Sequence, residues 1–194
     1  MDQKMPTTTK KPPQKRLTRT RAALCSTLLT LLEEKALEQI TVKEITARAD
    51  IGYATFFRHY ADKEELLHDL AAQEIRRLLT MTLPILYTED TQASTQALCS
   101  YVWEHRVLWK ALLTGGASAT VKEEYLKQAL DLAEDAPKAE AWLPAELAVT
   151  FAVTSALDIL TWWLKQKKPM SNKEIAVILN RLAIAPVYQP QKTD

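Results

Sequence analysis

Between Thr41 and Lys63 the chain reads TVKEITARADIGYATFFRHYADK, a stretch rich in side chains that recognise rather than transform. Tyr53, Thr55, Arg58, His59 and Lys63 supply hydroxyl, guanidinium, imidazole and ammonium groups, interleaved with the small Gly52 and Ala54. Such a set can meet phosphate oxygens and base edges in a groove of duplex DNA. Catalysis needs a different inventory. The whole chain holds 3 His and 2 Cys, with no metal-ligand spacing and no nucleophile beside a base. His68 lies four residues after Glu64, but one such pair is too few ligands for a metal. Gly115-Gly116 is not followed by the Lys-Ser/Thr pair of a phosphate loop. No catalytic residue, metal or cofactor is therefore expected.

The elements that present these groups can be read locally. Thr41 with Glu44 is a capping box, and Val42, Ile45 and Ala49 fall on one face of the helix it opens. Lys43 and Arg48 lie on the outer face. Asp50-Ile51-Gly52 interrupts the period with two residues that tolerate turns. From Tyr53 to Tyr60 the spacing predicts a second helix, with Ile51, Phe56 and Tyr60 inward and Tyr53, Ala54, Thr55, Arg58 and His59 outward. Asp62 with Glu65 is a second capping box, opening a third helix. A helix, a tight turn and a short helix of this kind is a helix-turn-helix reading head for the major groove. His59 and Lys63 suit phosphates, whereas Tyr53, Ala54, Thr55 and Arg58 suit base readout.

This stretch, with the helix before it, resembles the DNA-binding domain of the TetR family of transcriptional regulators. The matching residues are Thr41-Val42, Ile45, Ala49, Ile51, the run Ala54-Thr55-Phe56-Phe57-Arg58-His59-Tyr60, and Asp62-Lys63-Glu64-Glu65-Leu66. Three positions depart from the family's pattern. Asp50 stands where a turn Gly is usual, Gly52 replaces a capping Ser, and Phe57 replaces a Tyr. The resemblance implies DNA contacts from Thr41, Arg48, Gly52, Tyr53, Ala54, Thr55, Arg58, His59 and Lys63, the last on phosphate. It also implies a homodimer on a palindromic operator in double-stranded DNA, probing small molecules through a C-terminal pocket and acting as a repressor. An effector then works only by binding one spacing of the two reading heads better than another. Two rivals stand against this reading: a DNA-binding protein without an effector, controlled by a partner or organising the chromosome, and an all-α enzyme.

Composition agrees with an all-α fold. The chain has 194 residues, 47% hydrophobic and 25% charged, with only 3 Gly and few β-branched alternations. The net charge of +1 is unevenly spread, with 12 basic and 7 acidic side chains through Lys63 and 13 and 17 beyond it. A basic head on an acidic body suits a front end that meets phosphates. Cys25 and Cys99 lie in apolar helical patterns and read as packing residues. No signal-peptide core and no charge-free run long enough to span a bilayer is seen, so a cytoplasmic location without membrane contact is expected.

The expected organisation is a flexible basic arm at 1–17, a three-helix DNA-binding domain at 18–62, a helical effector-binding and dimerisation domain at 63–186, and a tail at 187–194. The first helix runs from Thr18 to about Ala36 with Ala22, Cys25, Leu28, Leu29 and Leu32 inward. The helix that Asp62 opens runs to about Leu83, where Pro84 ends or kinks it, and links head to body. Further helices are expected near 91–103, 105–113, 119–134 and 144–166, the last apolar nearly all round. Ser171 with Glu174 opens a final helix, and the chain from Pro186 reads as loop.

In the C-terminal half Asp158 is the polar residue that stands out, sharing a helix face with Phe151, Thr154 and Trp162. A carboxylate in an apolar helix needs a partner, either Lys165 or a hydroxyl within the protein, or a ligand. An effector pocket formed by Trp103, Trp109, Phe151, Thr154, Asp158 and Trp162 is expected, with Trp142, Tyr101 and His105 as further candidates. Leu160, Trp163, Ile175, Ile178 and Leu182 are expected at the dimer interface, because one body domain cannot cover so much apolar helix surface.

Overall fold

The computed structural model describes residues 13–87, 90–116, 118–134 and 143–188. Every regular element among the described residues is helical, in agreement with the all-α expectation. The chain divides into two compact units, Met1–Leu66 and Leu67–Asp194.

The first unit holds α1 (Pro13–Glu34), a short 3-10 turn (Leu37–Gln39), α2 (Val42–Arg48), α3 (Tyr53–Phe56) and the first turn of α4 (Lys63–Tyr87). Helix α2 packs on both α1 and α3. Leu24, Leu28, Leu31, Ile45 and Phe56 are fully buried at the centre, and Cys25 is buried with them. The inward stripe of α1 is thus turned slightly from the one expected: Ala22 is exposed and Leu29 half-buried. Helix α1 also starts earlier than expected, at Pro13 rather than Thr18. Proline suits a first helical position, where its missing N–H has no intrahelical acceptor to lose. Residues 13–17 are therefore helix, and the remainder of the expected basic arm, 1–12, lies outside the described residues.

Helix α4 carries Pro84 inside it and continues to Tyr87 instead of stopping at Leu83. The proline forfeits one backbone bond, yet the flanking turns persist. The second unit adds α5 (Thr91–Glu104), α6 (Arg106–Thr114), α7 (Ser118–Glu134), α8 (Ala145–Lys165), α9 (Asn172–Leu179), a π-helical segment (Asn180–Ile184) and α10 (Ala185–Tyr188). Helix α8 packs against α6, α7 and the π segment, while α9 lies along α5. Ser171 and Glu174 form the expected capping box in full: Ser171 Oγ accepts from the Glu174 amide at 3.3 Å, and Glu174 accepts from the Ser171 amide at 2.8 Å. The chain beyond Pro186 does not unwind at once, since Pro186 is the second residue of α10. The connection containing Trp142 and the residues from Gln189 onward lie outside the described residues.

By length and composition helix α8 is long and apolar enough to cross a membrane, although Asp158 interrupts its apolar run. Two observations favour a core helix. Its inner side is buried against α6 and α7, and Asp158 near its middle is ion-paired to Lys122 at 2.6 Å. Trp163, fully buried, stacks on Trp103 with ring centroids 5.1 Å apart and donates its indole N–H to the Met170 carbonyl at 2.9 Å.

Candidate nucleic-acid interface

Thr41 caps α2 as its sequence demands, its hydroxyl accepting from the Glu44 amide at 3.2 Å. The Glu44 carboxylate in turn takes the Lys35 ammonium at 2.7 Å, and that hydrogen bond holds its pKa below the usual 4.5. Arg48 is bonded to Glu34 of α1 at 2.7 Å, a contact that raises its pKa further. Both pairs tie α2 to α1 or its end from the outside, while Ile45 ties it from within.

The turn after α2 depends on Asp50, which has φ 53, in the left-handed region. An L-residue with a Cβ is disfavoured there, and Asp is among the few that visit it. This is the position at which the resemblance expects Gly, and Asp50 meets the same backbone requirement. The reversal is closed by the Ile51 amide donating to the Thr46 carbonyl at 3.0 Å. Gly52 then starts α3 without a side-chain cap.

Helix α3 is shorter than the expected span to Tyr60. Only Tyr53–Phe56 is α-helical, and the chain tightens afterwards. Arg58 donates its amide to Thr55 at 3.2 Å and His59 to Phe56 at 2.8 Å, the i→i+3 pattern of a closing helix end. Phe56 is fully buried and Tyr60 nearly so, and these two anchors fix the direction of the segment. Its outer face carries Tyr53, 57% exposed, and Phe57, 48% exposed, with ring centroids 5.1 Å apart, edge to face. Ala54 and Arg58 are exposed, while Thr55 and His59 are half-buried. Arg58 Nη2 donates to Thr55 Oγ1 at 2.9 Å, which orients the guanidinium beside the hydroxyl. Eight of the nine residues named for DNA contact are thereby placed from Thr41 to His59, with Thr41, Arg48, Gly52, Tyr53, Ala54 and Arg58 exposed.

Lys63 has a different setting. Its ammonium donates to the Leu37 carbonyl at 2.8 Å and the Ile40 carbonyl at 2.9 Å, with Glu38 at 3.5 Å. It thus gathers carbonyls of the 3-10 turn and its end, one of which, that of Leu37, also accepts from the Ile40 amide, and fastens them to the start of α4. The second capping box is only half present: Asp62 accepts from the Glu65 amide at 2.8 Å, but Glu65 reaches the Ala61 amide instead of that of Asp62.

The second unit does not assemble the expected pocket. Phe151, Thr154, Asp158 and Trp162 share one face of α8, but that face is exposed: Phe151 is 45% and Trp162 50% open. Asp158 finds its partner in Lys122 rather than in Lys165, a hydroxyl or a ligand. Trp103 is half-buried against Trp163, and Trp109 is fully buried. His105 stacks on the Tyr101 ring at 4.2 Å, and Tyr101 donates its hydroxyl to Glu74. The expected dimer residues are displaced in the opposite sense. Leu160, Trp163 and Ile175 are core residues of one protomer, Ile178 is half-buried, and Leu182 alone is well exposed.

A cavity of about 80 Å³ does exist, and none of the six expected pocket residues lines it. Leu79, Leu83, Leu98, Val149 and Ile184 are among its apolar lining, with Thr82, Ser94, Thr95 and Tyr125 among its polar lining. A usable signal was present in the sequence. Ala148, Ala152 and Ala156 recur every fourth residue of α8, all buried, and two of them line the cavity. Small side chains at helical spacing mark the face that leaves room.

Comparison with known proteins places this geometry. Residues 25–70 match the family model described as bacterial regulatory proteins, tetR family. An uncharacterized HTH-type transcriptional regulator, YxbF of Bacillus subtilis (strain 168), is 39% identical over 66 residues. That match spans 34% of this chain and 17% of the length of YxbF. The fold is similar to a TetR-family regulator from Syntrophomonas wolfei str. Goettingen, with a TM-score of 0.68 at 14% identity over 91% of this chain and 99% of that one. It is also similar to Thermus thermophilus FadR, a repressor solved with lauroyl-CoA, with a TM-score of 0.60 at 15% identity over 90% and 98%. The N-terminal helix-turn-helix of this chain is thus similar to that of the tetR family of bacterial regulatory proteins, over residues 25–70.

Proposed function

We propose that the protein is a transcriptional repressor that binds a palindromic operator as a homodimer and leaves it when a small molecule occupies the second unit. The observation that carries the reading is the α3 segment: Phe56 and Tyr60 anchor it, and Tyr53, Ala54 and Arg58 stand open on its outer face. Arg58 held beside Thr55 can donate in parallel to a purine edge or to a phosphate. Thr41 and Gly52 frame the reading segment with backbone amides near the groove. Arg48 contributes positive charge although Glu34 neutralises part of it. In this reading Lys63 acts first by fastening α4 to the carbonyls of the preceding turn, and His59 by positioning on the sugar-phosphate backbone.

Homodimerisation is supported by apolar side chains that no described residue covers. Leu147, Phe151 and Trp162 on α8, and Val177 and Leu182 beyond it, are 44 to 62% exposed. Exposed apolar residues at this density mark a contact surface. The dimer face is thus assigned to the side of α8 opposite Leu160 and Trp163. Effector binding is assigned to the cavity rather than to the Asp158 face. Thermus thermophilus FadR, similar in fold, was solved in complex with lauroyl-CoA.

The test is selection of duplex sequences by the purified full chain, followed by anisotropy titration against the selected site and a scrambled duplex. A palindromic site bound at least a hundredfold tighter than the scramble, with affinity falling steeply with salt, is expected. Arg58→Ala should weaken the selected site by about 1–3 kcal/mol and leave melting unchanged. Equal affinity for selected and scrambled duplexes would remove the operator-specific reading.

A further inference from the structure

We propose that the cavity of the second unit takes a small uncharged molecule, apolar over most of its surface, whose single oxygen is hydrogen-bonded by Tyr125. The inference rests on the ligand-responsive reading above and adds the chemical class. Its first support is the lining itself, which contains no ionisable carboxylate, amine or guanidinium. A charged ligand would leave water and find no counter-charge.

The second support is the state of the polar groups at the cavity edge. Thr82 donates its hydroxyl proton to the Leu78 carbonyl at 2.9 Å, and Ser94 donates to the Thr82 carbonyl at 3.0 Å. Thr95 donates to the Thr91 carbonyl at 3.0 Å. These three protons are committed, so the oxygens offer only lone pairs. Tyr188, the other phenol of the lining, has an interaction of its own. Tyr125 differs. It is 6% exposed, it lines the cavity, and its hydroxyl makes no hydrogen bond with any described residue. Burial pushes its pKa upward, which keeps the proton on the oxygen. Its ring is held edge-on by the fully buried Trp109, with centroids 6.5 Å apart. The Tyr125 oxygen is not among the fully buried atoms left without a partner, so it keeps accessible surface and a free proton to donate. One ligand oxygen would satisfy it.

The third support is size. At about 80 Å³ the cavity is smaller than the ~150 Å³ apolar cavity that accepts benzene. A ligand with one ring must therefore widen the space among α4, α5, α7 and α8. Such a ligand binds the widened arrangement better than the narrow one, which is the differential affinity that regulation requires.

The experiment uses the full chain at pH 7.4 with four probes of similar size: phenol, toluene, benzoate and benzylamine. Calorimetry and melting should show binding of phenol and toluene, with benzoate and benzylamine at least tenfold weaker. Tyr125→Phe should weaken phenol about tenfold, as loss of one buried hydrogen bond predicts, and leave toluene unchanged. Ala156→Phe should remove both, and Ala152→Val replaces it if that variant does not fold. Benzoate binding as tightly as phenol would overturn the neutral class. Equal loss of phenol and toluene in Tyr125→Phe would overturn the anchor, and absence of binding by all four probes would overturn the site. Operator affinity measured in parallel separates the two readings. Phenol binding that leaves operator affinity unchanged keeps the ligand class and removes the regulatory reading. Release by benzoate without phenol binding does the reverse.

Discussion

Both the α3 segment and the outer side of α8 expose aromatic rings, but they surround them differently. Tyr53 and Phe57 stand beside Arg58, Thr55 and His59, so the apolar rings share their surface with donors. Phe151 and Trp162 stand on the same helix as exposed Leu147, with the charged pair of Asp158 and Lys122 on their face. The first surface can satisfy a partner's polar groups while its rings cover sugars or thymine methyls. The second offers fewer donors, Thr154 and the Asp158–Lys122 pair, among its apolar side chains. Exposure of aromatics is thus not one signal. What lies between the rings sets which polar groups of a partner each surface can satisfy.

The comparison can be tested most severely at two neighbouring tryptophans. Trp163→Ala removes a fully buried indole and should lower stability by about 3–5 kcal/mol, read as a large drop in melting temperature. Trp162→Ala should scarcely change folding of the protomer but should shift sedimentation toward monomer. If Trp162→Ala leaves the sedimentation profile unchanged at micromolar protein, the apolar face of α8 has another use. A smaller effect is expected in the first unit. Asp50→Val places a β-branched residue at φ 53 and should cost about 1–2 kcal/mol or more, while Asp50→Gly should be tolerated. Equal melting of the Val and Gly variants would show that the turn relaxes.

Thr41→Ala removes the α2 cap and should cost about 1 kcal/mol in urea unfolding. The smallest effect, and of opposite sign, is expected at Gly52. Its φ of −61 suits any residue, and an added Cβ would lie 3.6 Å from Thr55 Oγ1, an ordinary contact. Gly52→Ser should supply the missing cap and stabilise by a few tenths of a kcal/mol. A destabilised Gly52→Ser would mean that the glycine is kept for close approach of a partner's backbone.

The reading head was legible because its determinants are local. Thr41, Asp50 and Asp62 cap or turn the chain within four residues, and Ile45, Phe56 and Tyr60 repeat at helical spacing. The setting of Lys63 was not legible, since its three carbonyl partners lie more than twenty residues earlier. In α8 the failure has one cause. A helix apolar on every side carries no phase, so Leu160 and Trp163 were turned outward and Phe151 and Trp162 inward, the reverse of what is observed. The alanine spacing would have set the phase. The Asp158–Lys122 pair bridges two helices and left no trace in the α8 sequence.

The π-helical segment Asn180–Ile184 has a consequence for chain length. Relative to an α-helix, a π turn accommodates one additional residue, and each residue of an α-helix rotates its successors by about 100°. The buried Asn180, which donates to Gln92 at 3.1 Å, lies on one side of this wide turn, and the cavity residues Ile184 and Tyr188 lie at its end and beyond. A chain shorter by one residue there could run as uninterrupted α-helix, swinging Ile184 and Tyr188 off the cavity wall. Among related chains, a single deletion in this turn would therefore reshape the binding volume more than most substitutions within it.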